Sequence, residues 1–275
     1  MKSNMNLIRS VLRLNLLNIW RRETRVWGYR LIPPSLDRLV FLILHRLELM
    51  GREEKAAFQR WIRAGMTVVD VGASQGLYAL FFSGLVGPSG TVLAFEPESD
   101  RFASLRHNCE ANSASNIQCF ELALGWTART GTLHRSLVHG GDNRIATGLS
   151  ERISKSIDVT IARLDEAIGS RKVDFIKIDV QGWEGEVFNG MEHVLHNNNG
   201  LQQYFEFWPQ GLKNAGTNPG DVLTFLLSRG FRLSQTLAGR QVPLEDATLG
   251  QSRNGHWFTN SMPPDKGFAK SQSQR

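Results

Sequence analysis

Val68-Val-Asp-Val-Gly-Ala-Ser-Gln-Gly76 is an apolar run that breaks into a glycine turn. The apolar residues read as a buried strand and the residues after Gly76 as a helix, so the glycines fall on a strand-to-helix turn. Without a Cβ, Gly72 and Gly76 let backbone approach a ligand closely, and the helix N-terminus beyond offers free N–H groups. A second apolar run, Thr91 to Phe95, ends in Glu96-Pro97. Glu96 lies twenty-four residues beyond Gly72, about where an acid grips ribose hydroxyls in doubly wound folds. The two turns together call for a nucleotide-like ligand.

Outward from this point, short apolar runs alternate with amphipathic stretches, which predicts βαβ units and a parallel sheet. Strands are expected near Thr67 to Val71, Thr91 to Phe95, Ile117 to Glu121, Asp174 to Val180, Gln202 to Phe207, Phe231 to Leu237 and His256 to Thr259. Helices are expected near Gly76 to Leu85, Ser99 to Asn112, Glu184 to His196 and Pro219 to Arg229. Two extended pieces, Gly131 to His134 and Ile157 to Ile161, flank a Gly-rich segment, His139-Gly-Gly-Asp-Asn-Arg144, that interrupts the alternation. Upstream, residues 6 to 30 mix Leu, Ile and Trp with Arg9, Arg13, Arg21, Arg22 and Arg25 as in a basic amphipathic helix; Ser35 can cap a second helix over Leu36 to Leu47. A third is expected from Glu53 to Arg63. The expected organisation is a basic helical extension over 1–65, one α/β domain over 66–262 and a disordered tail over 263–275.

The net charge of +6 belongs to the extension. Residues 1–65 carry 13 Lys and Arg against 5 Asp and Glu, net +8, which leaves 19 against 21, net −2, for the rest. A nucleic-acid partner is therefore not expected, while the basic N-terminal helix offers a peripheral contact to an acidic lipid surface. The two cysteines make no disulfide framework and no zinc spacing, and the longest apolar run, Leu39 to Leu44, is six residues where a membrane span needs about twenty. A cytoplasmic chain is expected.

Two nucleotide ligands compete for the turn. Nicotinamide sites prefer G-x-G-x-x-G, whereas the spacing here is Asp-x-Gly-x-x-x-Gly. Asp70 at the strand end would repel a pyrophosphate and suit an amine-bearing cation, which favours S-adenosylmethionine. Asp70-Val-Gly-Ala-Ser-Gln-Gly76, Ala94-Phe-Glu-Pro97, Ala123-Leu-Gly125, Arg163-Leu-Asp165 and Asp174-Phe-Ile-Lys-Ile-Asp-Val-Gln-Gly182 with Glu184 fall in an order that resembles the FkbM family of S-adenosylmethionine-dependent methyltransferases. The resemblance covers roughly Glu53 to Leu237. It implies the doubly wound, Rossmann-like class I methyltransferase fold, with a seven-stranded sheet whose last strand is antiparallel.

By that resemblance Asp70, Gly72, Ala73 and Gly76, with Ser74 in the same turn, surround the methionine part of the cofactor. Glu96, followed by Pro97, holds the ribose, and Glu121, Leu122 and Ala123 flank the adenine. The chain departs from the family at Gln181, where Asp-Val-Glu-Gly is usual, at Trp126 and at Ser74. Gln181 keeps size and hydrogen bonding but loses a charge.

For the chemistry, Asp179 and Glu206 end the fourth and fifth expected strands and Glu184 opens the helix after Asp179, so all three could face the crevice beyond the strands' carboxyl ends. Asp179 is the leading catalytic candidate, and Lys177 shares its pleat face. Glu206 sits among Phe205, Phe207 and Trp208. His139, Asn143 and Trp208 are candidate acceptor contacts. Asp179, Glu206 and Asn143 would make an oxygen-rich cation site, but their spacing is not diagnostic and no metal is assigned. The expected activity is O-methylation of a small-molecule, glycan or lipid-linked hydroxyl, on a sugar, glycolipid or polyketide-like metabolite. The alternatives are a nicotinamide-dependent oxidoreductase and a non-catalytic protein that keeps the fold.

Overall fold

A computed structural model describes residues 23–32, 51–136, 144–145, 153–198, 200–237, 240–243 and 255–261. The helix expected over Leu36 to Leu47, the loop residues His139 and Asn143 and the tail after 262 lie outside them. The described chain begins with a hairpin, Thr24–Val26 (β1) and Tyr29–Leu31 (β2), turned through Trp27 and Gly28. Both turn residues have positive φ, 51° and 91°, the signature of a type I′ turn. This corrects the helix expected to run on to residue 30. Val26 and Leu31 are buried with Leu77 and Leu80, so the pattern at this point has the period of a strand.

The first half continues through Arg52–Trp61 (α1), Thr67–Val71 (β3), Leu77–Val86 (α2), Thr91–Phe95 (β4), Ser99–Ala111 (α3) and Ile117–Phe120 (β5). An insertion of Ala123–Leu124 (β6), Arg129–Ser136 (β7) and Ile153–Ala162 (β8) leads to the short helix Leu164–Ile168 (α4). The second half holds Phe175–Ile178 (β9), Glu184–Asn189 (α5), Glu192–Asn197 (α6), Gln202–Phe207 (β10), Pro209–Asn214 (α7), Pro219–Ser228 (α8), Phe231–Leu237 (β11), Arg240–Pro243 (β12) and Gly255–Ser261 (β13). The single helix expected from Glu184 to His196 is two. A Cβ at Gly190 would meet the Gly125 carbonyl oxygen at 2.1 Å, so the chain breaks there to let the start of the insertion pack closely.

The main sheet has the order β12-β11-β13-β10-β9-β3-β4-β5. Strands β5, β4, β3, β9 and β10 are parallel, and β13 runs antiparallel to both β10 and β11. Eight strands are present among the described residues where seven were expected. The extra one, β12, is a four-residue edge strand paired to β11, and Arg240-Gln-Val-Pro243 has no apolar run to announce it. The connections from β3 and from β9 lead to opposite sides, which opens a crevice at the carboxyl ends of these two strands. The insertion forms its own sheet, β6-β8-β7.

Alternate residues of the central strands feed two cores, as a sheet covered on both faces requires. Val69, Val71, Leu93, Phe95, Ile176, Ile178, Phe205 and Phe207 face one, with residues of α5, α6 and α8; Val68, Val92, Ala94, Phe175 and Tyr204 face the other, with residues of α1, α2 and α3. In the second core Phe58 of α1 lies edge-on to Tyr78, Phe82, Phe175 and Tyr204, with ring centroids 4.8–5.8 Å away. Phe58→Ala should therefore cost about 3–5 kcal/mol, read as a lower midpoint in urea unfolding.

Candidate active site

The turn after β3 is shaped by the protein's own backbone. Gly72 and Ala73 donate their N–H groups to the Phe95 carbonyl at 3.0 and 2.9 Å, which ties the end of β3 to the end of β4. Gly72 has φ +78°, and a Cβ there would lie 2.0 Å from the Asp179 carbonyl oxygen. At Gly76, with φ +91°, a Cβ would lie 2.6 Å from Leu105 Cδ1. The glycines were expected to make room for a ligand; the groups closest to them are Asp179 at the end of β9 and Leu105 of α3.

Glu96, just past β4, is nearly fully buried, and its two oxygens accept the N–H groups of Ser74 at 2.8 Å and Glu98 at 3.0 Å. Each carboxylate oxygen has two lone pairs, so two adjacent hydroxyls can still be accepted. Burial pushes its pKa up to about 7, against the opposing pull of the Glu98 N–H, the Arg101 charge and the Ser74 N–H. Arg101 donates to Ser74 Oγ at 2.6 Å and Glu98 at 3.0 Å, and Glu98 also pairs with Arg135 of β7.

A cleft runs from here across the ends of β4, β3 and β9. Gly72, Glu96, Pro97, Leu122, Ala123 and Asp179 line it, with Val180, Ile145 and Trp183. Five of the expected cofactor positions and the leading catalytic candidate thus share one cleft. Glu121 is exposed and lies outside the lining; Ala73 and Gly76, which are buried, and Ser74, which is half-buried, lie outside it too. Trp183 carried no expectation; its indole N–H donates to the Leu124 carbonyl at 3.1 Å and fixes the wall between α5 and the insertion. The only sign of it in the sequence is a tryptophan set directly after the Gln181-Gly182 turn.

Asp70 lies beneath the cleft, fully buried. Its partner is Lys177, aligned with it across β3 and β9, whose ammonium is 3.3 Å from Asp70 Oδ1 and 3.6 Å from Asp179 Oδ2. The Tyr78 ring lies 5.1 Å from the same ammonium. Burial pushes the Lys177 pKa down, but the charges of Asp70 and Asp179 outweigh this and raise it, so the lysine stays protonated. Asp70 was expected to meet a cationic ligand; the cation it meets is the protein's own.

Beyond Asp179 the chain turns through Gln181 and Gly182, with φ of +56° and +98°. The Gln181 amide donates to Asp179 Oδ1 and to Glu206 Oε2, both at 3.0 Å, and so joins the ends of β9 and β10. Two like charges that would repel are held by one neutral donor group. The Trp208 ring packs on Gly211, and the Arg144 guanidinium from the insertion lies 4.9 Å from its centre. Arg144 therefore brings the insertion to the strand end that carries Glu206. Among the described residues no cluster of three or more His, Cys, Asp or Glu could hold a metal ion.

Glu184 is fully buried and turned inward, where its Oε1 accepts the N–H groups of Val180 at 3.1 Å and Gly182 at 3.2 Å. It braces the Val180 to Gly182 turn. Burial pushes its pKa up to about 7 as well, against the pull of its own N–H and those of Val180 and Gly182.

Over residues 70–233 the chain matches the Methyltransferase FkbM domain. It belongs to the FkbM family of S-adenosylmethionine-dependent methyltransferases. Among curated relatives, the hexuronic acid methyltransferase AglP of Haloferax volcanii is 27% identical over 190 residues, 67% of this chain and 70% of that protein. Methyltransferase 1 of Beauveria bassiana is 25% identical over 145 residues, 46% of this chain and 58% of that protein. The chain thus spans between about six and seven tenths of these relatives. A solved O-methyltransferase from Bacillus cereus in complex with SAH covers 92% of this chain and 90% of its own at 13% identity, with a TM-score of 0.46.

The two raised glutamates give the FkbM chain a pH signature. A carboxyl whose folded pKa lies above its ordinary value stabilises the fold fully below that ordinary value, 4.5, and loses the contribution as pH rises through about 7. Glu184→Gln removes one of the two. The variant's stability relative to wild type, from urea unfolding at each pH, should rise by on the order of 3 kcal/mol between these limits, on top of any constant offset.

Proposed function

We propose that the chain transfers a methyl group from S-adenosylmethionine to a hydroxyl of a sugar, a glycolipid or a polyketide-like metabolite. The observation that carries the reading is the meeting of Asp179 with Glu206, through Gln181, at the mouth of the cleft that Glu96 also lines. When bound, the cofactor supplies a methyl on a sulfonium, open to in-line displacement by an oxygen.

The residues present fit that cofactor. Glu96 has two oxygens able to accept the neighbouring ribose hydroxyls, and Leu122 and Ala123 give an apolar wall for the adenine beside the stacked pair Phe95 and Phe120. Gly72 leaves the lip of the cleft without a side chain. At the acceptor end, Asp179 orients the hydroxyl and takes its proton, while Lys177 behind it balances the charge of the ionised carboxylate. Glu206 holds a neighbouring hydroxyl. Gln181 takes no proton; it sets the distance between the two acids, so its lost charge leaves the acid–base work to Asp179. A carbohydrate acceptor is supported by the hexuronic acid methyltransferase among the relatives, and a sugar brings adjacent hydroxyls for paired carboxylates.

Residues 66–262 carry the transferase sheet in this reading, with α1 and the β1–β2 hairpin packed on it, and the basic residues before the hairpin supply a contact for acidic lipid or an anionic acceptor. Among the described residues no helix is long and apolar enough to cross a membrane. Because β1 and β2 pack on α2 and α3, removing residues 1–22 alone should spare cofactor affinity and reduce retention on anionic lipid vesicles in a flotation assay. Equal retention without them ends the lipid proposal.

For the activity, calorimetry with S-adenosylhomocysteine and labelled methyl transfer to a panel of methyl glycosides separate the roles. Glu96→Ala should weaken cofactor binding roughly 10- to 100-fold, from the loss of charge-assisted hydrogen bonds worth about 1.5–3 kcal/mol. Asp179→Asn should bind the cofactor within a few-fold of wild type and lose roughly 10²–10⁴ in transfer rate. Unchanged transfer by Asp179→Asn would overturn its role.

A further inference from the structure

The chain has two cysteines, and the fold sets them side by side. Cys109 is on the last turn of α3 and Cys119 on β5, and their sulfurs are 3.9 Å apart. Cys109 is buried. Cys119 is half-buried, and both line an open groove together with Phe102, Arg106, Glu110 and Ile117. This groove is separate from the methyl-transfer cleft, and none of its lining residues has a part in the chemistry above.

We propose that Cys119 is a modification site for small oxidants of the hydroperoxide class, and that its stable product is a disulfide with Cys109. The two thiols are not equivalent. Hydrogen bonding from Cys109, with the Arg106 charge nearby, pulls the Cys119 thiol below its ordinary pKa against the effects of burial and of Glu110. The Cys109 thiol is pushed up by that same contact and by burial. An accessible thiolate with a second thiol in reach is the arrangement of oxidant-sensitive cysteines, since the thiolate attacks and the partner resolves the product.

The Cys119 thiolate attacks one oxygen of the peroxide; its O–O bond breaks, hydroxide leaves, and the sulfur becomes a sulfenic acid. The Cys109 sulfur, giving up its proton, then attacks the Cys119 sulfur, the S–O bond breaks and water leaves. The sum is two thiols and one peroxide to one disulfide and two waters. Closing from 3.9 Å to the roughly 2 Å of a disulfide requires the two sulfurs to approach by about 2 Å. The bond joins the helix that carries Arg101, and so Ser74 and Glu98, to the strand that leads into Leu122 and Ala123.

The test uses the full chain and hydrogen peroxide, with no acceptor or cofactor, so its failure would not touch the methyltransferase reading. In native protein, titration with a thiol reagent should show both thiols lost together, with the mass reduced by two hydrogens and both restored by dithiothreitol. Cys109→Ser should trap a sulfenic acid at Cys119 that dimedone labels, and Cys119→Ser should leave Cys109 unreacted under the same treatment. Retention of both thiols, oxidation to covalent dimers, or faster loss of Cys109 in Cys119→Ser than of Cys119 in Cys109→Ser would each overturn the proposal.

Discussion

A protonated lysine held between two carboxylates at the seam of β3 and β9 is the interaction on which the site depends. Taking the Lys177 and Asp70 charges out of water costs several kcal/mol per ion, and leaving either unpaired costs still more, so the two are tolerable only together, with the partly exposed Asp179 as the lysine's second partner. The register that sets Lys177 opposite Asp70 also sets the length of β9 beyond it, and that length places Asp179 at the mouth of the crevice. The aromatic rings of Phe58, Tyr78 and Tyr204 close over the same face and keep water from the pair. Stability and site geometry are thus set by one contact.

The seam needs backbones closer than side chains permit. Gly72 gives way to the Asp179 carbonyl, Gly182 to the backbone of Gly211, and Gly190 to that of Gly125. The first two are points where loops at the carboxyl edge of the sheet are pressed together, and the third presses the break between α5 and α6 against the insertion. Around these points the polar groups satisfy one another: Glu96 takes one N–H group of the loop after β3 and one of its own loop after β4, and Glu184 takes two of the loop after β9. Both carboxyls are drawn toward neutrality by burial and held by backbone donors, so the loops that frame the cleft are stiffened from inside.

Much of this was legible from the chain. The strands that end at Val71, Phe95, Phe207 and Leu237 were found at their observed limits, because buried parallel strands are short apolar runs cut off by turn residues. The cleft residues were placed together as well: Gly72, Glu96, Leu122, Ala123 and Asp179 lie just past the ends of β3, β4, β5 and β9 and fall into one lining. What escaped is what depends on partners distant in sequence. The β1–β2 hairpin shares its arginines and leucines with a helical pattern, and only docking against α2 and α3 decides between them. The directions of Asp70 and Glu184 were misread for the same reason. A carboxylate at a strand end or helix start reads alike whether it faces a ligand, a lysine or a loop's N–H groups, and the choice is made by packing. Gln181 was seen as a missing charge, while its use as a bridge required knowing that β10 ends beside β9.

The insertion between β5 and β9 has its own three-stranded ladder and, among the described residues, shares no strand pairing with the main sheet. It reaches the acceptor end through side chains, chiefly Arg144 over Trp208, and braces the cofactor end through Arg135 on Glu98. The ladder of the eight-stranded sheet draws none of its partners from this flap among the described residues. Selection for a new acceptor can therefore work on the outer part of this flap, beyond the Leu124 and Gly125 that pack on the main core, and divergence among enzymes built this way should concentrate there.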